Sequence, residues 1–252
     1  MSCNMSPNEQ SPSTEVAVTE DALLGGRVRL LQPERGYRVA IDAVLLAAAI
    51  PAHPGERILD LGAGVGAVGL CLAARIPGCN VVGIELQPVL ADLAVRNATL
   101  NGAADRVHTL VHDLAQPLAD DLGAFDHVAT NPPFLPASMA DPSPDPIKAL
   151  ATVESSASLA RWLAVATSTA RSTITVIHRS DRALEIVTEF ERLGWGDTVL
   201  ISLAPVRRVI VRARRSAVEQ RRHAEPLVLH KPDGSYTNRA EAILRHAAPL
   251  AF

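Results

Sequence analysis

Aromatic side chains, lysine, cysteine and long apolar runs are all scarce in this sequence, and each shortage excludes something. Four Phe, two Tyr and two Trp are the only aromatics in 252 residues. With 40 alanines and a hydrophobic fraction of 48%, the core must be built from small aliphatic side chains. The longest apolar run, residues 43–52, is about half a spanning helix, so no membrane protein is expected. Lys148 and Lys231 are the only lysines, and a net charge of −3 points to no particular partner. Cys3, Cys71 and Cys79 form no metal-type spacing and cannot all pair, which predicts no metal and a reducing, cytoplasmic setting. No basic stretch followed by an apolar run opens the chain, so no signal peptide is expected. Leu, Ile and Val are plentiful and charged residues make up only 20%, so the chain as a whole is not disordered.

Periodicity supplies the architecture. Apolar runs at Arg57–Leu61, Asn80–Leu86, Val107–His112, Phe125–Thr130, Ser172–His178, Thr198–Leu203 and Arg207–Arg214 read as strands. Amphipathic segments at Ala67–Arg75, Pro88–Asn101, Val153–Ala170 and Asp181–Leu193 read as helices between them. This alternation predicts an α/β fold, a Rossmann-like doubly wound sheet of seven strands. Only three residues separate the last two strands, so they form an antiparallel hairpin. Asp42 is expected to cap a helix ahead of the first strand, Pro226–His230 to form a short extra strand, and Thr237 to cap a last helix. Residues 1–20, rich in Ser, Thr, Pro, Asn and Glu, read as a disordered tail. Residues 21–252 then form a single domain: a cap segment over 21–55, a core sheet over 56–215 and an extension over 216–252.

In Ile58–Gly69 a buried strand ends in a glycine turn that opens a helix. Glycine permits positive φ and close backbone approach to a ligand, and the helix start favours polar or anionic groups. Gly64, Gly66 and Gly69 also fit the dinucleotide spacing, so the turn alone does not decide between cofactors. The next strand ends in Glu85, placed to accept ribose hydroxyls in nicotinamide or S-adenosylmethionine enzymes alike. Asp113 ends the third strand, either as an acceptor for an adenine amine or as a helix cap before Leu114.

The fourth strand runs into Asn131-Pro132-Pro133-Phe134. Two prolines remove backbone donors and restrict φ, leaving the Pro132 carbonyl and the Asn131 side chain as rigid acceptors. An exocyclic amine is a poor nucleophile because its lone pair is delocalised into the π system. Two acceptors held against its N–H bonds localise that pair, and Phe134 offers a face on which a planar group stacks. Alignment with an electrophilic methyl is then the main requirement, without a strong base.

Asp60, Gly62-x-Gly64-x-Gly66, Glu85, Asp113 and Asn131–Phe134 together resemble the class I S-adenosylmethionine-dependent methyltransferases, in their amino-nitrogen branch. Residues 36–46 and 230–237 resemble the flanking segments of bacterial tRNA (adenine-N6)-methyltransferases acting on valine tRNA, so the resemblance covers roughly residues 20–246. It implies the class I methyltransferase fold and S-adenosylmethionine as cofactor. Asp60, Gly62, Gly64, Gly66, Glu85, Asp113 and Leu114 would line the cofactor, with Tyr37 and Arg38 closing over it from the amino-terminal side. Asn131, Pro132 and Phe134 would hold the target amine and base. The implied reaction is methylation of the adenine N6 amine in RNA, with tRNA as the expected partner. Phe134 stands where the adenine enzymes often carry Tyr; the same Phe occurs in ribosomal RNA guanine-N2 methyltransferases, so guanine stays open. Glutamine-N5 methylation of a release factor is a further alternative, disfavoured because only about 55 residues precede the glycine turn. A nicotinamide oxidoreductase would leave the tetrapeptide unexplained, and intact Asp60, Glu85 and Asn131 speak against a silent RNA-binding relative.

Residues 207–222 hold seven arginines against Glu219 alone. Arg208, Arg212 and Arg214 share one face of the predicted strand, as a phosphate-binding stripe or as a charged, solvated edge. The proline-rich segment 135–152 is expected either to gate the substrate or to be a plain surface loop. Trp162 and Trp195 are expected in packing roles.

Overall fold

The structure, a computed structural model, describes residues 16–36, 38–135, 145–154 and 156–252. A hairpin of β1 (Val18–Leu23) and β2 (Val28–Pro33) precedes α1 (Ile41–Ala49). The core then runs β3 (Arg57–Leu61), α2 (Ala67–Arg75), β4 (Asn80–Glu85), α3 (Pro88–Leu100), β5 (Val107–Val111) and β6 (Phe125–Thr130). It continues through α4 (Pro146–Thr152), α5 (Leu159–Thr169), β7 (Ala170–Arg179), α6 (Ala183–Arg192), β8 (Trp195–Ala204) and β9 (Arg208–Arg214). β10 (Ser216–His223), β11 (Leu227–Val228) and α7 (Asn238–His246) follow.

The main sheet has the order β5-β4-β3-β6-β7-β9-β8-β10, with β11 also paired to β8. The seven expected strands are present, parallel except for β9, which is antiparallel to both β7 and β8. One face carries α1, α2, α3 and α7 over an Ala/Leu/Ile/Val core, and α5 and α6 cover the other. Phe125, Phe190 and Trp195 are fully buried, so the scarce aromatics do serve the core in part.

Several expectations are corrected. Val18–Glu20, assigned to the tail, lie in β1, because they pair in register with Leu31–Pro33; residues 1–15 fall outside the described residues. Asp42 is not the cap of α1: Ala40 holds that position, and Asp42 in the first turn pairs with Arg208. The helix expected from Val153 begins at Leu159, capped by the Ser158 hydroxyl, because Val153 is engaged in a bridge to Leu135.

β9 is not an edge strand. It lies between β7 and β8, with Val209 through Ala213 buried, so neither a solvated edge nor an exposed stripe describes it. Beyond β8 the edge is instead β10, which runs parallel to β8 although the chain leaves β9 on the opposite side. The backbone therefore crosses the start of β8. Gly196 permits this, because a Cβ there would stand 3.0 Å from the Val218 carbonyl oxygen and 3.1 Å from that of Ser216.

The amino-terminal hairpin is fastened by two asparagines, Asn97 of α3 and Asn101 at its C-cap. Asn97 accepts from the Leu31 N–H at 2.7 Å and returns a bond to the Leu31 carbonyl at 2.8 Å; Asn101 does the same for Arg29 at 2.9 and 2.7 Å. Asn97, fully buried, also donates to the Val65 carbonyl inside the glycine turn at 3.0 Å. Helical i,i+4 rise of about 6 Å and strand i,i+2 spacing of about 7 Å are close enough for two amide side chains to stand in for a neighbouring strand.

Candidate active site

The carboxyl ends of β3, β4, β5 and β6 open onto one cavity. Asp60, Gly62, Gly64, Glu85, Asp113, Leu114, Asn131, Pro132 and Phe134 all line it, so nine of the residues singled out in the sequence converge. This is the edge at which open α/β sheets bind ligands.

The glycine turn is built on positive φ at Gly62, Gly64 and Gly66, +76°, +56° and +84°. Gly66 does not face the cavity: a Cβ there would stand 3.2 Å from that of Ala94, so its role is to let α2 pack on α3. Gly64 has open space where a Cβ would be, and its N–H donates to Glu85 at 2.8 Å. The other Glu85 oxygen accepts from the Gln87 N–H at 2.9 Å. Burial raises the Glu85 pKa, opposed by those amides.

Asp60 is buried beneath the turn, and its Oδ2 has no hydrogen-bond partner among the described residues. Burial first, and then the nearby Glu85 charge, push its pKa up to about 7. Asp113 differs: one oxygen accepts from the Ala115 N–H at 2.9 Å and from the Ser156 hydroxyl at 2.8 Å, which holds its pKa down. A turn, not a helix, follows Asp113, so it is not a helix cap: it organises that turn after β5 and faces the cavity.

Across the cavity the tetrapeptide is fixed at both ends. Before it, the buried Thr130 hydroxyl donates to the Leu61 carbonyl at 3.0 Å, levelling β6 with the glycine turn. After it, Leu135 donates to the Thr152 carbonyl and accepts from the Glu154 N–H, at 3.0 and 2.9 Å. Pro132 and Pro133 are buried, whereas Asn131 and Phe134 are half-buried. His178 of β7 is buried against the Pro133 backbone; burial first, then the charge of Arg182, push its pKa down to about 4, so it is neutral at neutral pH.

Tyr37 and Arg38 are the two residues expected to close over the site. Tyr37 lies outside the described residues. Arg38 turns away, because its guanidinium donates to Asp21, Thr19 and the Pro33 carbonyl at 2.6, 2.8 and 3.0 Å, and Val39 and Ala43 line the cavity instead.

The arginine stripe is also broken up. Arg208 reaches the carboxyl edge of the parallel strands, with its guanidinium 5.4 Å from the Phe134 ring centre and its Nε 3.1 Å from Asp42. Arg212 is buried, donating to the Ala49 and Phe252 carbonyls. Arg214 pairs in register with Thr173, towards the opposite edge of the sheet.

Trp162, expected to be a packing residue, lines the cavity, and a Cβ on Gly62 would stand 2.6 Å from its ring. The later start of α5 explains the miss: from Val153, Trp162 falls deep along a helix, whereas from Leu159 it falls in the first turn, at the strands' carboxyl edge. α4 was not foreseen either. It lies over the cavity through Leu150 and Ala151, with Ile147 against Gly36 and its carbonyl 3.4 Å from the Gln87 side chain. Residues 136–144 of the segment expected to gate the site lie outside the described residues.

Residues 37–143 match the family model of the methyltransferase small domain. Over 104 residues the chain is 35% identical to the tRNA1(Val) (adenine(37)-N6)-methyltransferase of Yersinia enterocolitica, a match spanning 41% of each chain. The Yersinia pestis protein of the same name is 34% identical over 104 residues, with 41% and 42% covered. A solved structure described as a predicted O-methyltransferase, from Agrobacterium tumefaciens, has the same fold: TM-score 0.69 at 23% identity, covering 84% of this chain and 99% of that one. Over the matched domain these findings bear out the resemblance to the class I methyltransferases and, with it, S-adenosylmethionine as their methyl donor. Among the described residues no helix is long and apolar enough to cross a membrane.

Proposed function

We propose that the protein transfers a methyl group from S-adenosylmethionine to the exocyclic N6 amine of adenine in RNA, with tRNA as the substrate. The observation that carries this reading is the juxtaposition of Asn131, Pro132 and Phe134 with Asp60, Glu85 and Asp113 in one cavity. The donor set fits the cofactor. Asp60 Oδ2 is buried without a partner among the described residues, Gly64 leaves room for close approach, and Glu85 and Asp113 are acceptors for hydroxyl and amine groups. When bound, S-adenosylmethionine supplies an electrophilic methyl group on a positively charged sulfur.

The chain's own part is positioning. Asn131 and the Pro132 carbonyl accept the two N–H bonds of the amine, which localises its lone pair, and Phe134 stacks on the base. Neutral His178 beneath the tetrapeptide is no strong base, in keeping with a reaction that depends on alignment. The names of the Yersinia relatives support adenine N6 in tRNA, and Phe134, lacking a phenol hydroxyl, favours guanine N2 as the second reading.

Mass spectrometry of nucleosides from a deletion strain tests the proposal. Loss of N6-methyladenosine from tRNA is expected; loss of N2-methylguanosine from ribosomal RNA would replace adenine with guanine. Unchanged nucleosides in both pools would overturn the RNA reading. Calorimetry with S-adenosylhomocysteine and with NADH tests the cofactor separately, with only the former expected to bind.

A further inference from the structure

We propose that an open recess on the outer side of Phe134 holds a backbone phosphate of the RNA strand whose base enters the cavity, and that Arg207 is the cation that takes it. This rests on the RNA reading above. The recess is lined by Phe134, Arg179, Ser180, Asp181, Arg207 and Arg208. Phe134 belongs to both spaces, with the cofactor-side cavity behind it and the recess in front. Enzymes that modify a base draw it out of its stack, and the strand then continues outward from the pocket. A base stacked on Phe134 has its phosphate one ribose away, on the side where the recess opens.

Intramolecular contacts decide which arginine is available. Arg221 pairs with Glu191, Arg222 with Asp197, and Arg208 with Asp42. Arg212 is held by backbone carbonyls, and Arg215 lies over the Trp195 ring. Within the recess Arg179 is paired with Asp181. Of the seven arginines in 207–222, only the Arg207 and Arg214 side chains remain without a hydrogen bond, ion pair or ring contact among the described residues. Arg214 lies six residues from Arg208 along β9, about 20 Å away, towards the far edge of the sheet. Arg207 is exposed at the catalytic edge, while its backbone is fixed: its carbonyl accepts from the Ser180 N–H at 3.2 Å and from Arg208 Nη1 at 3.4 Å. A fixed base with an unpaired head is the arrangement that binds a phosphate with little ordering left to do. Arg208, spanning Asp42 and the Phe134 ring, is instead a positioning residue for the aromatic face.

The test measures binding of the full chain to a pool of unmodified tRNA transcripts between about 50 and 200 mM salt, with S-adenosylhomocysteine affinity measured in parallel. Arg207→Ala is expected to weaken RNA binding about three- to ten-fold at the lower salt and to reduce the logarithmic salt slope by about 0.7–0.9, one phosphate's worth. Arg207→Lys should keep most of the slope, Arg214→Ala should leave it unchanged, and S-adenosylhomocysteine affinity should not move. A wild-type slope in Arg207→Ala, or an equal loss in Arg214→Ala, overturns the recess proposal while the RNA reading stands. Wild-type protein that takes up S-adenosylhomocysteine but binds neither tRNA nor ribosomal RNA transcripts would instead overturn the RNA reading and the recess with it.

Discussion

Along the glycine turn the acidic groups are largely engaged: Glu85 accepts two backbone amides, and Asp113 accepts an amide and the Ser156 hydroxyl. Across the cavity, the backbone of Asn131–Phe134 is fastened at Thr130 and Leu135, but the Asn131 side chain has no hydrogen-bond partner among the described residues. One wall is organised before any ligand arrives; the other presents acceptors that a substrate must complete. Substitutions in the first wall should act on cofactor affinity, and substitutions in the second on transfer.

The largest expected effect breaks the second wall. Asn131→Ala should lower the transfer rate about a hundred-fold or more, as losing a preorganised hydrogen-bonding group does, with S-adenosylhomocysteine affinity within about two-fold of wild type. A parallel loss of cofactor affinity would erase the distinction between the walls. Next comes Gly62→Ala, which sets a methyl group against the Trp162 ring and places a side chain at a φ of +76°. Cofactor affinity should fall about ten-fold or more, and adding Trp162→Ala should restore part of it, leaving backbone strain of about 1 kcal/mol or more. If the double variant binds no better than the single one, Trp162 does not shape that wall.

The smallest effect concerns pH. Asp60 has a folded-state pKa of about 7 against an ordinary 3.8, so the native state holds its proton more tightly than the unfolded chain. Its contribution to stability therefore declines as pH rises from about 4 to about 7 and is level above that. A positively charged ligand favours the carboxylate, so S-adenosylmethionine affinity should rise several-fold between about pH 6 and pH 8. Asp60→Asn should flatten that rise in a calorimetric titration; a persisting slope would move its origin to another group.

The same contrast explains what could be read from the residues alone. β3 and α2 have the predicted limits, Arg57–Leu61 and Ala67–Arg75, because a buried strand, a glycine turn and an Ala/Leu helix each leave a local composition. Glu85 and Asp113 are legible from strand ends and the tetrapeptide from its prolines, whereas Asp60, inside β3, is legible only through the resemblance. Trp162 depended on where α5 begins, and that depended on Val153 pairing with Leu135, a contact between segments. The arginines of β9 follow the same rule: alternation gives their faces, but not that β9 inserts between β7 and β8 as an interior strand.

Asn97 and Asn101 have a consequence for the order in which the molecule comes together. The free edge of β2 finds its hydrogen-bonding partners on a helix 66 to 72 residues further along the chain. During synthesis the hairpin therefore emerges with that edge bare, and it stays so until α3 has left the ribosome and coiled. The two asparagines close this vulnerable interval, and because Asn97 also holds the Val65 carbonyl, the glycine turn and the hairpin edge become settled in the same step.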